Sequence, residues 1–295
     1  MRNNPLLLAT LMLVPCRMLA QSAPAAVDPV TIPYTVSDGV LMIPATAGSI
    51  PIHVIFDTGA GVDILAPSLI ARLHGRPAGT FSAHRMTGER IDVSLFEIPE
   101  IAVGSFVRKN VVVGSWDMLD SLHLEGIVSV NGFRHQPFTI DFNRGTLVLE
   151  TAASLSRRRA GGQVSPLRVD DYHGAALDLI ATFLIGDQPG DCEIDAGSQS
   201  ATLSLRYLAP LGVDTNSAAV RKRERRTIAG AREVSYGTSV SQIALAAAPV
   251  ITLRQPRVAF ADIIYDCVIG TDFWAGRAMT VDLAGGMLIV SSSHP

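Results

Sequence analysis

Short apolar stretches with a near-alternating rhythm recur along the whole chain. Segments 50–56, 92–98, 107–113, 146–150, 234–243 and 287–290 are rich in Val, Ile, Leu and Phe, and turn-forming residues separate them. That period of two predicts half-buried β-strands. Helical periodicity is scarce. Residues 67–73 (Pro67-Ser68-Leu69-Ile70-Ala71-Arg72-Leu73) and a counterpart around 205–211 allow a turn or two each. The pattern predicts a mainly all-β chain.

The pattern is also written twice. Gly126-Ile127-Val128-Ser129-Val130-Asn131-Gly132-Phe133 aligns with Cys267-Val268-Ile269-Gly270-Thr271-Asp272-Phe273-Trp274 at an offset of 141. Without a gap, Phe138-Thr139-Ile140-Asp141-Phe142 then meets Met279-Thr280-Val281-Asp282-Leu283, and Gly145 meets Gly286. Upstream, Val54-Ile55-Phe56-Asp57-Thr58-Gly59-Ala60 aligns with Cys192-Glu193-Ile194-Asp195-Ala196-Gly197-Ser198 at an offset of 138, and Gly88 with Gly230 at 142. Offsets that drift so little imply two copies of one fold. The predicted units are 28–151 and 166–292. Between them 152–165, with Arg157-Arg158-Arg159-Ala160-Gly161-Gly162, reads as a polar, flexible linker.

Composition narrows the classes. The chain has 295 residues, 48% hydrophobic and 17% charged, enough apolar material for a sizeable core. A net charge of −3 gives no basic excess for phosphates, so no nucleic-acid partner is expected. Arg2, the apolar run 5–14 and small residues at Ala20, Ala23 and Ala25 form a signal-peptide pattern. Cleavage is expected after residue 20, or as late as 25. The run is too short to span a bilayer, so a periplasmic or secreted protein without a transmembrane segment is expected. Pro15 fits poorly with lipoprotein anchoring through Cys16. Export leaves Cys192 and Cys267, which an oxidising compartment permits to pair; two free thiols is the alternative. The seven histidines show no ligand spacing, so neither metal nor cofactor is expected. Asp63 and Glu193 read as solvated turn residues. The basic run 221–226 reads as a solvated loop.

The candidate chemistry lies in the repeat. Asp57-Thr58-Gly59-Ala60 follows an apolar strand, and Asp195-Ala196-Gly197-Ser198 occupies the matching place in the second copy. Each copy later carries an apolar-apolar-Gly-like step, Ile127-Val128-Ser129 and Val268-Ile269-Gly270. Together these resemble the retropepsin/pepsin clan of aspartic proteases, in the form of tandem retropepsin-like units. The resemblance spans 30–292. It implies two pseudo-symmetric β-barrel lobes facing each other across an active-site cleft, with one aspartate from each. Asp57 and Asp195 would be the catalytic pair, because peptide hydrolysis needs both an activated water and a proton donor. Two close carboxylates sharing one proton supply both.

By the same resemblance, Gly59 and Gly197 give the backbone room beside the carboxylates, with Ala60 in support. Thr58 locks the two loops together, and Ser198 donates to Asp195. The departures are Ala196, which removes half of that hydroxyl lock, and Ser129, which stands for a glycine. No flap tyrosine is present, and Gly-bearing hairpins around Gly88 and Gly230 are the flap candidates. In the ψ-shaped loop that the resemblance implies, Cys192 and Cys267 would lie on neighbouring strands. The expected partner is a peptide or protein substrate. A monomer is expected, because one chain supplies both aspartates. The competing expectation is a duplicated module that binds extended peptides or cell-envelope ligands without cleaving them.

Overall fold

In this computed structural model, residues 28–226 and 232–292 are described; the segment read as a signal peptide and Gly230 lie outside them. The alternating segments pair into three sheets of six, eight and ten strands. The eight-stranded sheet belongs to the first repeat and the ten-stranded sheet to the second. Each lobe buries one aromatic cluster. Phe56 stands edge-on to Phe133 and Phe138 at 5.5 and 5.3 Å, and Phe183 meets Phe273 at 5.2 Å. Such pairs add to what area burial alone supplies.

The six-stranded sheet joins the lobes, with three strands from each. At its centre strand Phe138–Asp141 runs antiparallel to Arg277–Asp282, with Thr139 opposite Thr280. These two threonines are repeat equivalents, so a pseudo-twofold axis passes between them. Their buried hydroxyls lie 2.6 Å apart. The lobes thus share a hydrogen-bonded sheet, which restrains their relative movement more than a chain crossing alone would. The result is an all-β, two-lobed architecture.

Three expectations need correction. The stretch read as a flexible linker is ordered. Ala152–Gly161 is a helix, capped by reciprocal bonds between Thr151 and Ser154, and Gln163–Pro166 is a strand of the six-stranded sheet. The capping box outweighs the polar composition. The segment 234–243 is two strands, Arg232–Ser239 and Gln242–Leu245. Val240 bonds to Pro256 between them, so the chain turns from one pairing partner to another. The basic run is likewise a strand, Arg221–Arg226, paired with Arg232–Ser239 and exposed throughout. Solvation was legible from its charge, whereas pairing was not.

Candidate active site

Each Asp-bearing strand ends beside the apolar-apolar strand of its own repeat, in parallel. Ile50–Asp57 pairs Ile55, Phe56 and Asp57 with Ile127, Val128 and Ser129. Gln188–Ile194 pairs Cys192, Glu193 and Ile194 with Cys267, Val268 and Ile269. The register is the same in both lobes. Cys192 and Cys267 face each other at a Cα separation of 4.5 Å and form a disulfide at the root of the second loop.

The two loops meet at the lobe interface and bring Asp57 and Asp195 together. Gly59 and Gly197 show how closely. A methyl group on Gly59 would stand 2.6 Å from Asp195 Cγ, and one on Gly197 would stand 2.6 Å from Asp57 Cγ. Only glycine admits that approach. Each carboxylate also accepts from the glycine N–H of its own motif, Gly59 to Asp57 Oδ1 at 2.9 Å and Gly197 to Asp195 Oδ1 at 2.7 Å. Ser198 Oγ donates to Asp195 Oδ2 at 2.6 Å.

Thr58 ties the loops across the interface. Its buried Oγ1 donates to the Ile194 carbonyl at 2.7 Å and accepts the Ala196 N–H at 2.8 Å. Ala196 has no hydroxyl to return the grip. Burial pushes the Asp57 carboxyl up to about 8, with the neighbouring charge of Asp195 the next cause. The pair therefore holds a proton well above the pH at which a free carboxyl would lose it.

Ser129, which stands for a glycine, is buried and bonded. Its N–H and hydroxyl both bond Asp63 Oδ1, at 2.8 and 3.2 Å, and Asp63 is ion-paired to Arg108. Asp63 is thus a buried strut under the first loop, contrary to the turn role read from sequence. Its partner comes from strand Phe106–Ser115, 45 residues away, a distance over which local pattern carries no signal. Glu193 is also buried, at 4% exposure. It lies in a strand, not a turn, and shares the lining of a cavity of about 630 Å³ with Asp195, Ser198, Asp178 and Tyr265. Period-two spacing from Asp195 would have put it on the cleft face.

The first flap candidate is a hairpin, Arg76–His84 against Arg90–Val103, with Gly88 at its tip in the left-handed region at φ 76°. It reaches over the cavity and touches the other lobe, where Ile264 N–H donates to the Met86 carbonyl at 2.9 Å. Thr227–Glu233, the second flap candidate, is only partly within the described residues; the flanking strands pair through Arg225 and Glu233.

Comparison with known proteins gives a family match and a fold match. Residues 43–142 match the aspartyl protease family model, which takes in Asp57-Thr58-Gly59-Ala60 and the first lobe alone. Among curated proteins no sequence matches this chain. Solved structures share the fold at low identity. Basic 7S globulin from soybean superposes with a TM-score of 0.55 at 10% identity, covering 91% of this chain and 96% of its own. Conglutin gamma, a basic 7S globulin from lupine seeds, gives 0.55 at 8% identity, with 90% and 95% covered. The structure titled edgp gives 0.56 at 10% identity, with 90% and 94% covered. The expected likeness to aspartic proteases is therefore present in the first-lobe sequence, and the two-lobed all-β fold is similar to that of these globulins.

Proposed function

We propose that this chain is an exported aspartic endopeptidase that hydrolyses peptide bonds with a water activated between Asp57 and Asp195. The observation that carries the reading is the crossed packing of Gly59 and Gly197 on the opposite carboxylates, which puts two acids in one site. Asp57 holds the shared proton. Asp195, which accepts from Gly197 and Ser198, takes a proton from the attacking water. Asp57 donates its proton to the scissile carbonyl oxygen as the tetrahedral species forms. Collapse of that species sends a proton to the leaving nitrogen and returns the pair to its starting state. The chemistry needs two carboxyls and a water, with no covalent intermediate.

The flap hairpin contributes by covering the cavity. It rests on the second lobe through the Ile264–Met86 backbone bond and the packing of Met86 near Ile263, and it opens for an extended polypeptide and closes over it. A monomer suffices, since one chain brings both acids. The amino-terminal pattern supports export.

The second reading is a peptide-binding module that does not cleave, favoured by the missing hydroxyl at Ala196. One experiment separates them. The mature chain is incubated with a denatured protein from pH 3 to 8, alongside Asp57→Asn and Asp195→Asn. The endopeptidase reading expects wild-type cleavage and a loss of about 10²–10⁴-fold or more in each variant. Peptide binding without cleavage by the wild type refutes it.

A further inference from the structure

The second lobe carries acids where the first carries hydrocarbon. Ile55 and Glu193 hold the same place in their repeats, against Ile127 and Val268 in the same parallel register. Met42 pairs with Ile55 in the first lobe, and Ile180 with Glu193 in the second. Two residues before these stand Val40 and Asp178. The first lobe thus lines this face with Val40, Met42 and Ile55, the second with Asp178, Ile180 and Glu193. The exchange of two apolar residues for two acids is confined to one lobe, so the fold itself does not require it.

These acids adjoin the dyad. Glu193 and Asp195 are two apart along one chain, so their side chains leave the same face roughly 7 Å apart. Continuing the register of strand Leu177–Ile185 against Gln188–Ile194 sets Asp178 in line with Asp195. All three line one cavity. Asp178 Oδ2 accepts from Tyr172 at 2.9 Å and from Tyr265 at 2.8 Å, and Tyr265 lines the cavity beside Glu193.

The groups facing Glu193 are Asp195 from its own chain segment, Asp178 and Tyr172 from one side, Tyr265 from the other, and Asp57 across the interface. Strand Cys267–Ile269 adds only the apolar Val268. The basic groups of the cavity, His84, Arg85, Arg225 and Arg226, belong to the two hairpins; Arg225 pairs with Glu233 and Arg85 with Glu89.

We propose that Glu193 is a positioning residue for the dyad: its carboxyl, seated beside Asp195, extends upward the pH range over which the two aspartates keep their shared proton. The inference rests on the endopeptidase reading for its effect on rate, though not for the coupling of the acids. Burial, then the charges of Asp195, Asp178 and Asp57, hold the Glu193 carboxyl well above the ordinary range. Acids confined in one site lose protons in turn, and the last is held most tightly because every earlier loss leaves a negative charge behind. Take away one acid and the final proton on the aspartates leaves at lower pH.

The test compares kcat/KM from pH 3 to 9 for wild type, Glu193→Gln and Glu193→Asp. Glutamine keeps the shape and removes the acid. Its alkaline limb is expected about one pH unit below that of wild type, and aspartate is expected to restore most of the shift. Superimposable limbs in an active Glu193→Gln enzyme overturn the inference and leave the endopeptidase reading standing. The second measurement does not depend on cleavage, or on the variant folding: a ¹³C carboxyl NMR titration of the wild-type chain. Coupling gives a multistep Glu193 curve sharing midpoints with Asp57 or Asp195. A single step near an ordinary glutamate value overturns the inference. If no protein cleaves at any pH, the endopeptidase reading falls and the titration alone decides the coupling.

Discussion

Thr58→Val removes one oxygen from the contact between the loops and keeps the side chain's shape. Thr58 is fully buried, and its hydroxyl is the group that bonds both the Ile194 carbonyl and the Ala196 N–H. Valine leaves that acceptor and that donor without this partner in an interior that water does not reach. Each orphaned group costs about 1–3 kcal/mol, so the loss is about 2–6 kcal/mol. The pseudo-symmetric partner cannot compensate, because position 196 has no hydroxyl. Thermal unfolding of a chain this size moves by roughly 2–4 °C per kcal/mol, so Tm is expected to fall by at least roughly 4 °C. Cleavage is expected to fall further than stability predicts, since the same bonds hold the two aspartates at their spacing. Differential scanning calorimetry and a peptide cleavage assay below the new Tm read the two effects. A Thr58→Val protein with Tm within 1 °C of wild type and twofold of its activity would refute the claim that this hydroxyl holds the loops together.

Three further outcomes follow from the same geometry. Asp57 retains its proton up to about 8 in the folded chain, far above its unfolded value, so folding binds a proton in between. Its contribution is therefore full at low pH and lost as pH rises through the interval from about 4 to about 8; urea unfolding at both ends should show Asp57→Asn with a shallower decline than wild type. Cys192 and Cys267 are 75 residues apart, and replacing both by serine should cost about 4 kcal/mol by chain entropy. Dithiothreitol should lower the wild-type Tm and leave that of the double variant where it was. Gly197→Ala forces a methyl against the Asp57 carboxylate; cleavage is expected to drop at least about 10²-fold in a chain whose circular dichroism is unchanged, and near-normal turnover would mean the carboxyls need not be so close.

Asp63 and Glu193 mark the limit of what sequence reasoning could reach. A lone charged residue next to a turn motif is usually solvated, and by that prior both were surface residues. Asp63 is buried because Arg108, brought in by a distant strand, neutralises it and because Ser129 offers two donors. Glu193 is buried because the second lobe closes over it with Asp178 and Tyr265. Neither neighbourhood is contiguous in the chain. Linker residues 152–161 misled for the opposite reason: arginines and glycines suggested mobility, whereas the capping bonds of Thr151 and Ser154 start a helix there.

What the chain carried on its face was period and repetition. Alternating apolar positions require strands, because only a period of two puts them all on one side of a sheet. Two copies of that pattern at near-constant offset require two similar lobes, and each copy brings its own Asp-x-Gly. Distances between the copies were beyond it. The crossed glycines, the one-sided grip of Thr58, the flap resting on Ile264 and the acids beside Asp195 all join residues of separate segments, and most join one lobe to the other. Such contacts depend on how the lobes dock about the Thr139–Thr280 axis, which no local pattern encodes.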